Sequence, residues 1–208
     1  PAEGRAVVSV TDQAIAQGYR VIRQREELAN TDPRQRLLGI FAAETMAVKL
    51  QGAGGAMATR IAKVDGKVRL PEPFACEANP AFTNVPTLAE MTRVALRHLD
   101  GDRGFMFMIE SASIDKQSHA RRPCGQIGEL GQLDETLTVA LDYAKQHPET
   151  LVLVTADHSQ AAQIVTEQGE FLPLGFASPG YYARVLTPEG SVMGVNYATK
   201  HSKVGQTQ

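Results

Sequence analysis

The chain has 208 residues, of which 43% are hydrophobic and 21% charged, and its formal net charge is −2. This composition excludes a disordered or low-complexity chain, and the absence of a basic stripe argues against nucleic acid as a partner. No apolar run approaches the roughly 18–20 residues of a membrane span, and no signal peptide is visible. The sequence begins at Pro1 and its first methionine is Met46, so we expect a piece of a longer protein.

The chain up to Ala42 alternates between short apolar runs and polar segments with helix signals. Strands are predicted over 6–10, 19–22 and 37–42, and helical segments over 12–17, after Thr11 as N-cap, and over 25–29. This alternation with short connections favours a parallel sheet covered by helices. Glycines and prolines then interrupt every pattern over 43–86, which predicts a long irregular excursion with one short hairpin.

The two cysteines, Cys76 and Cys124, each lie beside turn-forming residues. Two buried free thiols are one interpretation, and it is the common one for a cytosolic enzyme. A disulfide is the other, and it would close a loop of about 48 residues worth roughly 4 kcal/mol. The residues alone leave both interpretations open.

Two long helices and two buried strands are predicted in the second half of the chain. Thr87 and Glu90 form a capping box for a helix over 87–99, and a second helix is predicted over 128–146. The short apolar runs 105–109 and 151–154 are typical of strands buried on both faces. After His158 the pattern predicts a small antiparallel region with strands over 162–166, 181–186 and 192–197, then a polar tail over 200–208.

Carboxylates and imidazoles follow both buried strands. Asp115 and His119 follow the first strand at i, i+4 spacing, so a helix would place them on one face, and Asp157 and His158 follow the second. Ligand sites in open α/β sheets lie beyond the carboxyl ends of the strands. Each residue alone is more often a cap or a satisfied polar group, but two oxygen and two nitrogen donors together suit zinc. We therefore expect a binuclear metal site.

Glu110 and Lys116 flank these candidate ligands. Glu110 is either a salt-bridge partner of Lys116 or Arg103, or a ligand for a hard cation such as Mg²⁺. Lys116 lies between two candidate ligands in sequence, which favours a phosphate-facing ammonium group over a surface role. Both assignments depend on the metal site being real.

The segments IESASIDKQSHA (109–120), PCGQIGE (123–129) and TADH (155–158) resemble the metal-site segments of the bacterial alkaline phosphatases, which are periplasmic phosphomonoesterases. The resemblance runs in order over 6–197 and is most specific over 109–129. It implies an α/β class, as a three-layer α/β/α sandwich with a mostly parallel central sheet and a small β-rich insertion, incomplete here. Residues 1–158 would be the C-terminal part of the α/β domain, and 159–208 the insertion near a dimer interface and a cut tail.

The resemblance also implies roles for individual residues. Asp115 and His119 would bind a first zinc ion and Asp157 and His158 a second, while Glu110 would bind magnesium. Lys116 would hold phosphate and, through water, the magnesium shell. Cys76 and Cys124 would form a disulfide in a periplasmic or secreted protein, which is a homodimer when intact. The two zinc sites and the magnesium site need not be filled in this chain.

Departures from the family pattern limit what this chain does alone. Ser111, Ser118 and Gln160 stand where the family commonly has Gly, Asp and His, changes that we expect to tune the metals. The Asp-Ser-Ala motif of the zinc-activated serine nucleophile is missing, and the last zinc ligand would lie beyond Gln208. We therefore expect an inactive C-terminal half of an enzyme that hydrolyses phosphate monoesters. The alternatives are a sulfatase or phosphodiesterase of the same superfamily, or a non-catalytic metal-binding fragment.

Overall fold

The computed structural model describes residues 8–65, 67–160, 162–165 and 180–197. Helix α1 (Val10–Ala16) begins after Ser9, whose hydroxyl accepts the Asp12 backbone N–H. Strand β1 (Arg20–Ile22) pairs in parallel with β2 (Leu37–Gly39), and a 3-10 helix (Arg25–Asn30) connects them. The first predicted strand lies partly outside the described residues. Its described part is wrong, because Ser9 rather than Thr11 caps α1 and Val10 is already helical.

Besides a short 3-10 helix (Ala53–Gly55), eight further strands and three α-helices follow within the described residues. In chain order these elements are β3 (Leu50–Gly52), β4 (Thr59–Arg60), β5 (Ala62–Val64), β6 (Lys67–Arg69), β7 (Phe74–Ala78), α2 (Leu88–Leu99), α3 (Ser113–His119), α4 (Pro123–Gln146), β8 (Ala162–Val165), β9 (Tyr181–Leu186) and β10 (Val192–Tyr197). The region 43–86 is thus more regular than predicted, and the expected hairpin is the β5–β6 pair. Among the described helices, none is both long and apolar enough to cross a membrane.

One mixed sheet joins the middle of the chain to its last described strands. Its order is β3-β7-β9-β10-β8, with β4 also paired to β9, and only the β7–β9 pair is parallel. The three strands predicted after His158 are confirmed as an antiparallel group, while the tail 200–208 lies outside the described residues. Ala183, Val195 and Tyr197 form the buried face of this sheet. The domain division at residue 158 stays a prediction.

The Cys76–Cys124 disulfide joins the mixed sheet to the long helix. Cys76 lies on β7 and Cys124 in the first turn of α4, so the pairing implied by the resemblance is confirmed. The helix α4 begins before the predicted residue 128 because Pro123 suits a first helical turn, where its missing N–H costs nothing. A Cβ at Gly128 would lie 2.9 Å from the Leu50 nitrogen, so a glycine is needed for β3 to lie against α4.

A buried polar network also connects β3, α2 and α4. The Glu129 carboxylate is nearly inaccessible to solvent and accepts the Lys49 backbone N–H at 3.0 Å and the Gln132 amide N–H at 2.8 Å. The side-chain oxygen of Gln132 (Oε1) in turn accepts a hydrogen bond from the Leu88 backbone N–H, at the start of α2, at 3.2 Å. Buried polar groups with satisfied hydrogen bonds fix one arrangement of the elements that they join.

The two segments predicted as buried strands have no regular secondary structure and join no sheet within the described residues. Over 105–109 alternate side chains point to solvent, with Met106 96% and Met108 80% exposed, and Leu151 and Leu153 are similarly exposed in the second segment. These strand predictions are therefore wrong for the described structure, because a strand requires a hydrogen-bonded neighbour. The α/β class itself is confirmed, with a partial mixed sheet packed against helices.

Candidate functional site

Helix α3 presents two of the candidate ligands on its outer face. Gln117 and Ser118 are buried on the opposite face. Asp115 and His119 point away from that packing, and the distance from Asp115 Oδ1 to His119 Nε2 is 3.4 Å. The helix ends at His119, and two residues later Arg121 adopts a positive φ of 57° and stacks its guanidinium 3.8 Å from the centre of the Tyr181 ring. The i, i+4 prediction for Asp115 and His119 is confirmed as a geometric statement.

The segment that follows residues 151–154 brings His158 to the same carboxylate. His158 Nε2 lies 3.8 Å from Asp115 Oδ1 and 3.6 Å from Asp157 Oδ2. The side-chain amide of Gln160 also donates a hydrogen bond to Asp115 Oδ1. The four predicted zinc ligands therefore lie in one cluster with Asp115 at its centre, although they come from segments that are far apart in sequence.

The environment of His158 favours its protonated form. Its Nδ1 lies 3.0 Å from the Ser159 carbonyl oxygen, and this hydrogen bond, together with the charges of Asp157 and Asp115, raises the pKa of His158. A metal ion binds the neutral imidazole, so protons and a metal would compete for this nitrogen. Any metal affinity of the cluster should therefore fall as the pH is lowered.

The spacing of the donors fits zinc pair by pair. Zn–N and Zn–O bonds of roughly 2.0–2.1 Å in a tetrahedron place two donors about 3.3–3.4 Å apart. The Asp115–His119 distance of 3.4 Å matches this value, and the two distances to His158 are slightly longer. Within the described residues no group of three or more His, Cys, Asp and Glu side chains is arranged to hold a metal ion. The described residues thus bring these donors together in pairs.

Glu110 and Lys116 are both exposed and do not pair with each other. Glu110 forms no ion pair with Lys116 or Arg103 in the part of the chain that the structure describes, so the salt-bridge alternative is not supported. Lys116 Nζ instead donates a hydrogen bond to the Thr45 hydroxyl at 3.3 Å. The assignment of Glu110 to magnesium stays a prediction.

Thr45 is a residue of this region that the sequence analysis did not select. It lies in the segment before β3, and that segment is held by hydrogen bonds from the Asn79 side chain to the Val48 carbonyl oxygen and from the Lys49 N–H to Glu129. Thr45 and Lys116 are 71 residues apart in sequence. A contact of this kind has no local signature, so only the structure places a hydroxyl beside the ammonium group.

Comparisons with known proteins agree with the resemblance. A family model described as "Alkaline phosphatase" matches residues 2–206. Alkaline phosphatase H of Pseudomonas aeruginosa is 40% identical over 190 residues, which cover 89% of this chain and 37% of the relative. Streptomycin-6-phosphate phosphatase of Streptomyces griseus is 40% identical over 220 residues, which cover 100% of this chain and 43% of the relative. Alkaline phosphatase of Escherichia coli is 39% identical over 194 residues, which cover 91% of this chain and 38% of the relative. The chain spans about two fifths of the length of these curated relatives.

Proposed function

Because the chain belongs to the alkaline phosphatase family, we propose that it is part of a hydrolase that releases phosphate from phosphate monoesters. The observation that carries this proposal is the position of the Asp115 carboxylate between His119 and His158, at distances of 3.4 Å and 3.8 Å. Two imidazoles around one carboxylate at the surface are poorly explained by packing, and they are a usual donor set for zinc.

The proposed roles follow the donors. Asp115 and His119 would hold one zinc ion, Asp157 and His158 a second, and Glu110 a magnesium ion. When bound, the metal ions would supply Lewis-acid stabilisation of phosphate oxygens and lower the pKa of a bound water. Within the chain itself, the Gln160 amide orients the Asp115 carboxylate, and the Lys116 ammonium provides a point charge toward phosphate. The serine nucleophile would lie outside this chain.

Compartment and assembly belong to the same proposal. The Cys76–Cys124 disulfide supports a periplasmic or secreted location, since such bonds persist in oxidising compartments. We place the dimer interface of the intact enzyme near the β-rich region after residue 159. The relative from Streptomyces griseus is named for one phosphorylated small molecule, whereas the other two are named only as alkaline phosphatases. A broad set of phosphate monoesters is therefore the substrate class that we propose.

Hydrolysis of p-nitrophenyl phosphate tests this function. A longer protein that contains this chain together with the missing nucleophile motif should release p-nitrophenol in a zinc-dependent way, while the 208-residue chain alone should not. The matched substrates p-nitrophenyl sulfate and bis-p-nitrophenyl phosphate separate the sulfatase and phosphodiesterase alternatives. Preference for either of those substrates would contradict the proposal, and zinc-dependent turnover by the chain alone would contradict its inactivity.

Loss of the Thr45 hydroxyl should weaken substrate binding in that longer protein. Without its hydrogen bond from Lys116, the ammonium group samples more rotamers, so Thr45→Val should raise KM about threefold and change kcat less. Thr45→Ser keeps the hydroxyl and should retain the original KM. Thr138→Val, on the exposed side of α4, is a matched control. An unchanged KM in Thr45→Val, or an equal change of KM in Thr45→Val and Thr45→Ser, would show that the Thr45 hydroxyl does not contribute to the site.

A further inference from the structure

A groove of about 380 Å³ lies between the 3-10 helix Arg25–Asn30 and helix α2. It shares no residue with the cluster around Asp115. Three arginines line it, namely Arg25, Arg93 and Arg97, above a floor that includes Leu28 and Val94. We propose that this groove binds a small organic phosphate, with the phosphate between Arg93 and Arg97 and an apolar group against the floor.

The charges in the groove are unequally matched. Arg25 donates two hydrogen bonds to Glu90 Oε1, at 2.7 Å and 3.2 Å, and Glu90 Oε2 accepts the Thr87 N–H that caps α2. Glu90 is therefore fully occupied by Arg25 and by the helix cap. The only other carboxylate in the lining belongs to Glu26. The groove thus contains three guanidinium groups and two carboxylates, and one of these carboxylates, that of Glu90, is already hydrogen-bonded to Arg25 and to the backbone of Thr87.

Arg93 and Arg97 are the two cations that remain available. They lie four residues apart on α2, on the same face of the helix, and neither forms an ion pair with any residue that the structure describes. Like charges at this spacing repel each other and destabilise a helix. An anion placed between them would remove this repulsion, which gives the bound state a source of free energy beyond the hydrogen bonds themselves.

The shape and chemistry of the groove select the class of ligand. Guanidinium groups match the oxygens of a phosphate group with pairs of hydrogen bonds. Leu28 and Val94 belong to the hydrophobic core and line the groove, so this part of its floor is apolar. A volume of 380 Å³ falls at the lower end of the roughly 300–1,000 Å³ typical of small-molecule sites. A phosphate monoester with a small apolar group therefore fits better than a folded peptide.

Calorimetric titration of the 208-residue chain with phenyl phosphate tests this proposal. The titration is done at low salt with EDTA present, so that metal-dependent binding near Asp115 is removed. We expect saturable binding that is tighter than that of inorganic phosphate. The double variant Arg93→Gln/Arg97→Gln should weaken the binding of phenyl phosphate about tenfold or more, since the charge-assisted hydrogen bonds of two exposed guanidinium groups are lost. Glutamine is a good helix former, so α2 should remain intact, which circular dichroism checks.

Two further variants decide where the ligand binds. Arg34→Gln/Arg103→Gln removes the same charge from exposed residues outside the groove and should leave the affinity unchanged. Lys116→Gln should also leave it unchanged. The proposal is overturned by an absence of saturable binding, by equal affinity of the Arg93→Gln/Arg97→Gln variant, or by an affinity that depends on Lys116 or on net charge alone. These outcomes do not depend on whether the longer protein is a phosphatase.

Discussion

Replacing Cys76 and Cys124 by serine is expected to lower the free energy of unfolding by about 4 kcal/mol. The disulfide joins residues with a sequence separation of 48, and a cross-link over a loop of this size removes a large amount of entropy from the unfolded chain. The effect should reach the candidate site as well. Cys124 lies in the first turn of α4, and α3, which carries Asp115 and His119, packs on that helix.

Urea denaturation with reductant as a second variable checks this expectation. The oxidised wild type should unfold at a clearly higher urea concentration than the Cys76→Ser/Cys124→Ser variant. Dithiothreitol should move the wild type close to the variant and leave the variant itself unchanged, because the sequence contains no other cysteine. Equal midpoints for oxidised wild type and variant would mean that the loop is already restricted in the unfolded state.

The helices could be predicted from the sequence where their signals are local. Thr87 and Glu90 form a capping box in which each side chain bonds the backbone of the other, and α2 begins where this motif predicts. The start of α1 was missed because two hydroxyl residues on either side of Val10, Ser9 and Thr11, are both good N-caps and only Ser9 is used. Helix starts are therefore predictable to the extent that one capping residue has no competitor.

The strands over 105–109 and 151–154 show the opposite case. Their apolar runs predict strands that are buried on both faces, and such burial requires strands and helices from elsewhere in the chain or beyond it. Within the described residues nothing pairs with them, and Met106 and Leu151 lie exposed. The matched relatives are more than twice as long as this chain. The apolar runs are therefore consistent with strands that are buried by other parts of a longer protein.

The candidate site could be predicted because two rules operate over different distances. Helical periodicity placed Asp115 beside His119, and the tendency of ligand residues to follow buried strands placed His158 near them. His158 lies near Asp115 although residues 151–154 pair with no strand within the described residues, so the proximity does not depend on a ladder. Thr45 could not be found by either rule, because it reaches Lys116 through a tertiary contact alone.

Replacing Asp115 by asparagine is expected to abolish most of the affinity of the chain for the zinc ion that Asp115 and His119 would hold. Asp115 Oδ1 lies close to both His119 and His158, and it accepts a hydrogen bond from the amide of Gln160. Asparagine keeps the size of the side chain but removes the negative charge, and its amide nitrogen cannot bind a metal ion. Loss of a direct ligand should cost more than the 10–100-fold typical of outer partners, so we expect zinc to bind about 100-fold more weakly or worse.

Competition with a chromophoric zinc chelator measures this affinity in the 208-residue chain, with Asp134→Asn as the matched control. Asp134 is exposed on α4 and lies outside the cluster, so its variant should bind zinc as the wild type does. The wild-type affinity should also decline as the pH falls through the raised pKa of His158, because protons and zinc then compete for the same imidazole. If Asp115→Asn and Asp134→Asn bind zinc equally well, the carboxylate between the two histidines is not a metal ligand, and the phosphatase proposal loses its principal support.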